Sequence, residues 1–164
     1  QIPIYYNQKS TGRPVDLKDE SVDYRSRYFD SSITPLYPFG YGLSYTTFEI
    51  GNVKSDKNVL NTKDDKLTVT ADVRNSGTAD GEIVVQLYTR QLTASVTRPV
   101  KELKGFRKIA LKAGETQQVT FELTPEDLAF YGIEGKKKAE AGALKLWVAQ
   151  HSADDTNEIS FSIQ

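Results

Sequence analysis

Apolar and polar side chains alternate along most of the chain after Thr46, and this alternation is the strongest constraint on its fold. The apolar residues at 67, 69, 71 and 73 are separated by threonine and charged residues, and the same period recurs at 83–87, 119–123, 144–148 and 159–163. Successive side chains of a strand point to opposite faces, so this period predicts strands with one buried face. Because Val84 and Tyr88 are also apolar, the strand around 83–88 is predicted to be a central one, apolar on both faces.

Short turn signals separate these segments, at 75–77 and 113–114 among others. Residues 124–127 form a good helix start, with a threonine cap, a proline in first position and acids in the first turn, and they predict a single turn of helix. About seven short strands and no long helix predict an all-β fold. The expected architecture is an immunoglobulin-like (fibronectin type III-like) β-sandwich over 46–164, with an extended N-terminal arm.

Residues 35–48 form a junction rich in proline, glycine and aromatic side chains. Pro35 and Pro38 favour extended backbone, whereas Gly40 and Gly42 allow geometry that larger residues avoid. The apolar side chains of the junction are Leu36, Tyr37, Phe39, Tyr41, Leu43, Tyr45 and Phe48. This density is too apolar for a free linker, so we expect the junction to be pressed against another structural unit.

The first 34 residues show no strand or helix period apart from a short apolar run at 2–7. A loop of this length is unusual inside a compact domain, so we expect residues 1–34 to form an arm that lies across a neighbouring domain. The chain contains no methionine and begins Gln-Ile-Pro-Ile, which suggests a processed or excised piece. The expected division is therefore an arm at 1–34, a junction at 35–48 and a sandwich at 46–164.

Composition limits the classes of partner and chemistry. The 21 Lys and Arg residues nearly balance the 22 Asp and Glu residues, which argues against nucleic acid or an anionic membrane surface as the main partner. No apolar run approaches the length of about 20 residues needed for a membrane span. The absence of cysteine excludes disulfides, thiolate metal sites and a cysteine nucleophile.

Candidate catalytic groups are few. His151 is the only histidine, and Ser152, Asp154 and Asp155 lie beside it, so a Ser-His-Asp arrangement is conceivable. These residues share one short turn-like stretch, however, and a solvated loop is the favoured interpretation. The many carboxylates fall at turns and cannot be paired across a sugar site, and neither acidic pair has the spacing of a calcium loop. We expect no catalytic residue, metal or cofactor in this chain.

Trp147 is the only tryptophan, and it falls between the apolar residues Leu146 and Val148. In a strand that buries positions 144, 146 and 148, its indole points to the opposite face. Packing in a second buried surface is the favoured interpretation, and a platform for stacking on a sugar is the alternative.

Several motifs of the chain resemble those of a known family. The run Pro-Phe-Gly-Tyr-Gly-Leu-Ser-Tyr-Thr at 38–46 looks like the signature that leads into the last domain of glycoside hydrolase family 3 enzymes, the β-glucosidases, β-xylosidases and their relatives. Further blocks in the same order resemble that domain, at 73–77, 81–88, 98–108 and 128–131. Residues 1–7 and 11–14 are similar to the end of the α/β sandwich domain that precedes it in the family.

The resemblance implies a non-catalytic, fibronectin type III-like module, because in this family the nucleophilic aspartate and the acid/base belong to the earlier domains. The implied partners are the preceding catalytic domains of the same polypeptide, in an enzyme that hydrolyses terminal β-linked sugars with retention. The implied location is periplasmic or secreted. Residues expected at the interface between domains are Tyr37, Phe39, Tyr41, Leu43, Tyr45, Arg98 and Pro99.

Three alternatives stay open from the sequence. A carbohydrate-binding module would use Trp147 or the tyrosines to bind an oligosaccharide or polysaccharide, a freestanding catalyst would act alone, and an adhesion-type sandwich would leave the aromatic junction unexplained. Exposed junction residues would also favour dimerisation of the isolated domain.

Overall fold

The computed structural model describes residues 4–10, 28 and 30–164. In chain order the elements are β1 (Phe48–Ser55), β2 (Val59–Leu60), β3 (Leu67–Asn75), β4 (Gly81–Gln91), β5 (Glu102–Leu111), β6 (Thr116–Leu123), α1 (Pro125–Leu128), β7 (Phe130–Tyr131), β8 (Lys137–Lys138), β9 (Gly142–Ala149) and β10 (Glu158–Ile163). Seven of these strands have six residues or more, as the alternation predicts.

The long strands form two sheets. One has the order β1-β3-β6, and the other has the order β2-β10-β9-β4-β5. Pairing between strands is antiparallel, except that the two-residue strand β2 runs parallel to β10. A separate hairpin joins β7 and β8. The prediction of an all-β, immunoglobulin-like sandwich is confirmed.

The core lies between the sheets and is built from the inward positions of the alternating segments. In β3 the side chains of Leu67, Val69, Ala71 and Val73 are all fully buried, while the residues between them are partly or fully exposed. Their counterparts in the five-stranded sheet are the inward residues of β4, β9 and β10, namely Val85, Leu87, Leu144, Leu146, Val148, Phe161 and Ile163. Burial of these apolar side chains supplies the main driving force for the fold.

The single turn of helix is also present. Thr124 caps α1, and its hydroxyl accepts the backbone N–H of Asp127 at 3.4 Å while the Asp127 carboxylate accepts the backbone N–H of Thr124 at 2.8 Å. This reciprocal capping box satisfies two donors at the helix start. Ala129 has extended backbone and ends the helix, as expected where β7 begins.

A fully buried asparagine joins the end of β3 to three other segments. The amide oxygen of Asn75 accepts the Thr46 hydroxyl at 2.7 Å and the Gly77 backbone N–H at 3.1 Å. Its amide nitrogen donates to the carbonyls of Ala79 and Leu111, at 2.8 and 3.2 Å. All four hydrogen-bonding positions of the amide are therefore used, which fixes the turn after β3 and the start of the sandwich at Thr46.

We expect Asn75→Ala to lower the free energy of unfolding by about 1–3 kcal/mol, because it leaves buried donors and acceptors without partners. Urea denaturation of the 164-residue chain measures this change. The matched control is Ser76→Ala, at the next residue, whose exposed hydroxyl bonds to Thr47 and to no other described residue. Equal midpoints for the two variants would contradict the assigned role of the Asn75 amide.

Candidate domain interface

The outer faces of the two sheets differ in chemistry. On the three-stranded sheet, the outward residues of β3 and β6 are threonine, glutamine and charged side chains, among them Thr70, Asp72 and Glu122. Asp72 accepts hydrogen bonds from Asn52 and Gln118, and these bonds hold the pKa of its carboxyl below the usual value. This face has the composition of a surface in contact with water.

The outer face of the five-stranded sheet is apolar at its centre. Tyr88 of β4 and Trp147 and Ala149 of β9 form a second buried cluster, separate from the core between the sheets, and Tyr6 and Leu103 pack against it. We call this group the outer-face cluster. Trp147 is only 5% exposed, although its side chain points away from the core. The expectation of a second buried surface is therefore met, and the indole does not present an open face for stacking on a sugar.

The arm supplies the cover over this cluster. The ring of Tyr6 stacks on Phe39 of the junction, with centroids 4.2 Å apart and planes 15° apart, and meets Tyr88 edge-on at 5.9 Å. Lys9 pairs with Pro99 through an isolated bridge, next to a hydrogen bond from the Val100 N–H to the Gln8 carbonyl. Residues 4–10 are thus built into the sandwich, and Pro99 contacts them. The remainder of the predicted arm, at 1–3, 11–27 and 29, lies outside the described residues.

The junction is fixed to the sheet by a close backbone approach at Gly40. The Gln86 amide nitrogen donates to the Gly40 carbonyl at 3.1 Å and to the Gln150 carbonyl at 2.6 Å, and the Tyr88 hydroxyl donates to the Gln86 amide oxygen. Gly40 has φ of +80°, and a Cβ on it would lie 2.1 Å from the Gln86 amide oxygen. Only glycine fits both the dihedral angle and the space. Burial raises the pKa of Tyr88, which keeps its hydroxyl protonated as a donor.

A buried lysine ties the loop at 150–155 to the same place. The Lys101 ammonium donates to the Ser152 carbonyl at 2.7 Å and the Asp154 carbonyl at 3.3 Å, and pairs with the Asp155 carboxylate at 2.5 Å. It also lies 4.6 Å from the centre of the Trp147 ring, within the range of a cation–π contact. The Ser152 N–H donates to the Phe39 carbonyl at 2.9 Å, so the 150–155 loop binds the junction. Lys101 therefore fixes the junction indirectly, by fixing this loop.

The residues around His151 therefore have a structural use. The His151 ring packs against Tyr41 with centroids 5.7 Å apart, Ser152 is buried, and Asp154 is bound by the hydroxyl and backbone N–H of Thr156. Burial would raise the pKa of Asp154, but the Thr156 hydrogen bonds outweigh it and the pKa is lowered. The prediction of a solvated loop is wrong for Ser152, because the loop packs on the junction. Within the described residues, no hydrogen bond joins the His151 and Ser152 side chains.

The predicted interface residues fall into two groups. The junction side chains Tyr37, Phe39 and Tyr41 are partly engaged by ring contacts with each other, Tyr6 or His151, yet each exposes two-fifths or more of its surface. Leu43 and Tyr45 have no such cover and are 89% and 102% exposed. These five residues form an apolar surface, which we call the junction surface, beside Val84 and Phe106, two exposed residues on the outer face of β4 and β5.

Arg98 behaves differently from the junction. Its guanidinium lies 4.0 Å from the centre of the Phe130 ring and pairs with the Glu102 carboxylate at 2.6 Å, so its contacts are to other residues of this domain.

Sequence reasoning missed two buried polar residues of the site, Lys101 and Gln86. Both lie in blocks that carry the family resemblance, at 98–108 and 81–88, but nothing in the residue pattern shows that a lysine and a glutamine are buried there.

The described residues contain neither a cluster of metal-ligating side chains nor a helix that could span a membrane. No group of three or more His, Asp or Glu side chains in these residues is placed to hold a metal ion. The described part of the chain also has no helix that is long and apolar enough to cross a membrane.

Comparison with known proteins gives a consistent result. The profile of the fibronectin type III-like domain matches residues 83–152. A periplasmic β-glucosidase of Salmonella typhimurium is 44% identical over 153 residues, which cover 93% of this chain and 20% of that protein. A β-xylosidase of Formosa agariphila is 42% identical over 165 residues, which cover 100% of this chain and 22% of that protein.

Solved structures agree with the sequence matches. The crystal structure of a β-glucosidase from Listeria innocua in complex with gluconolactone superposes with a TM-score of 0.90 at 41% identity, covering 99% of this chain and 22% of that one. The chain spans about a fifth of the length of the relatives it matches. It is therefore a C-terminal fibronectin type III-like domain of the family 3 glycoside hydrolases.

Proposed function

We propose that this chain is a non-catalytic structural module that stabilises the catalytic part of a family 3 glycoside hydrolase. The contact would be made by the junction surface and by the exposed apolar residues of the five-stranded sheet. The parent enzyme would hydrolyse β-D-glucosides or related β-glycosides, as the names of the relatives suggest. The family resemblance further implies that it acts on terminal, non-reducing sugars with retention.

The observation that carries the proposal is the contrast between the two outer faces. One sheet faces water with threonine, glutamine and charges, while the other carries a buried aromatic cluster and a border of exposed apolar side chains. A contiguous apolar border is typical of a surface that contacts another protein unit. Covering a large apolar side chain contributes about 1.5–3 kcal/mol, so a few residues of the junction surface supply a stable contact.

The network behind the junction gives this contact a fixed position. Lys101 orders the 150–155 loop, Ser152 binds the Phe39 carbonyl, and Gln86 binds the Gly40 carbonyl. A module anchored in this way would hold the neighbouring domains in register. Catalysis depends on such register, since displacements of about 1 Å in an active site can lower rates a hundredfold.

We infer a periplasmic or secreted location for the parent enzyme. The support is the Salmonella typhimurium relative, which is named as a periplasmic enzyme. The carbohydrate-binding alternative has weaker support, because its main candidate, Trp147, is covered by Tyr6, Leu103 and Lys101.

Replacing Tyr45 tests the interface directly, because no described residue covers its side chain. Tyr45→Ala should change the unfolding free energy of the 164-residue chain by no more than about 0.5 kcal/mol, as for other surface sites. In the whole enzyme it should reduce stability by about 1.5–3 kcal/mol, because there the ring would be buried. Thermal melting of both forms gives the comparison, and KM should be unchanged.

The matched control is Tyr131→Ala, another exposed tyrosine, which lies in the β7–β8 hairpin away from the junction. It should be neutral in both forms. If Tyr45→Ala raised KM without lowering the melting temperature of the whole enzyme, the ring would contact substrate and the structural proposal would fail.

Lys101→Ala tests the network behind the junction. We expect a loss of about 2–4 kcal/mol in unfolding free energy, because the buried Ser152 carbonyl and the half-buried Asp154 carbonyl lose their donor and Trp147 loses its cation–π contact. Trp147 is the only tryptophan, so its fluorescence should shift to the red as water reaches the indole. Lys108→Ala removes an exposed lysine paired with Glu82 and should leave both readouts unchanged.

The 164-residue chain alone should not hydrolyse aryl β-glucosides or aryl β-xylosides, because no carboxylate pair in its described part lies across a pocket. A chromogenic assay, with the whole enzyme as the positive control, measures this. Turnover that survived repurification and vanished on His151→Ala would instead support the freestanding catalyst.

A further inference from the structure

A groove with a volume of about 380 Å³ lies at the end of the outer face that is formed by the loop between β4 and β5. Loop residues 92–98 form most of its wall, and Arg90, Gln91 and Ser10 complete it. Arg90 follows Tyr88 by two residues on β4, so the groove begins where the outer-face cluster ends. Its size is at the lower end of the range for pockets that bind small molecules.

Seven of the ten lining residues have side chains that can donate a hydrogen bond, the other three (Leu92, Ala94 and Val96) are apolar, and none is acidic or aromatic. Arg98 has its charge balanced by Glu102. Arg90 has no hydrogen bond or ion pair to any described residue, and its cross-strand neighbour is another cation, Lys145, whose own charge is balanced by Glu158. The groove therefore contains one uncompensated positive charge.

The loop that forms the wall is held in place from behind. The Glu140 carboxylate accepts the Ser95 N–H at 2.8 Å and the Ser95 hydroxyl at 2.6 Å, and these bonds lower the pKa of Glu140. The Leu92 N–H donates to the Ala143 carbonyl at 2.9 Å. No acceptor among the described residues binds the backbone N–H groups at 93, 94, 96 and 97. These four donors are therefore unpaired among the described residues, in a loop that Glu140 and Ala143 hold in place.

The lining selects among ligand classes. A neutral sugar is normally held by an aromatic platform, which this lining does not provide. A phosphate dianion would meet only one uncompensated charge. A carboxylate matches a single free guanidinium, which can bind both of its oxygens at once, and the lining adds the hydroxyl donors of Thr93 and Thr97.

We propose that this groove is a binding site for a carboxylate, with the Arg90 guanidinium as its main contact. The carboxylate belongs either to an acidic sugar, such as a uronic acid, or to an acidic protein side chain. The site is separate from the proposed domain contact and does not depend on it.

Titration of the 164-residue chain with glucuronate, followed by NMR of the Arg90 side-chain N–H and the loop amides, tests the proposal. Saturable shifts are expected with glucuronate and none with glucose, which lacks the carboxylate. Arg90→Gln should weaken binding at least tenfold, and Arg90→Lys should weaken it less, because the charge is kept and the planar fork is lost. Arg74→Gln, on the outer face of the other sheet, is the matched control and should bind as the unmodified chain does.

A parallel titration with acetate distinguishes the two sources of the carboxylate, an acidic sugar and an acidic protein side chain. Equal affinity for acetate and glucuronate would indicate that the carboxylate alone is recognised, as on an aspartate or glutamate side chain, whereas tighter glucuronate binding would indicate an acidic sugar. The proposal would be overturned if neither anion gave saturable shifts in the loop at 92–98. It would equally be overturned if Arg90→Gln bound as tightly as Arg74→Gln.

Discussion

A β-sheet with apolar side chains on both faces has to be covered twice, and much of this structure follows from that requirement. The five-stranded sheet buries one face against the three-stranded sheet and the other under residues 4–10 and the junction. In the described part of the chain this second cover is a single layer of chain rather than a sheet or helix. The junction surface, Val84 and Phe106 stay exposed beside this cover. The proposed contact with a catalytic domain would complete this second layer.

The second layer depends on polar contacts as much as on aromatic ones. Gln86 and Lys101 lie among rings, and both direct their donors to backbone carbonyls at 40 and at 150–154. Aromatic stacking tolerates sliding, whereas a buried donor fixes the position of its acceptor. Together they convert an apolar patch into a surface of defined shape. This division of roles explains why a lysine is buried beside the only tryptophan.

The sequence was sufficient for the sandwich and insufficient for its second layer. Period-two segments such as 67–73 predicted strands and their inward residues, and 124–127 predicted the single helical turn, because both signals are local. The opposite phase of Trp147 predicted a second buried surface. The cover over that surface joins residues 6, 39, 88 and 147, which are far apart in the chain and share no period. The burial of Lys101 and Ser152 depends on this long-range packing, so a charged residue and a polar loop gave no local sign of it.

The edges of the five-stranded sheet have a consequence for the behaviour of the module in solution. One edge is β2, which has only two residues and is too short to template another chain. The other is β5, where the exposed side chains of Arg107 and Lys108 place two cations on the edge strand. Short and charged edges disfavour strand addition by a second molecule. Strand addition at these two edges, and fibrous growth that would start from them, should therefore be suppressed.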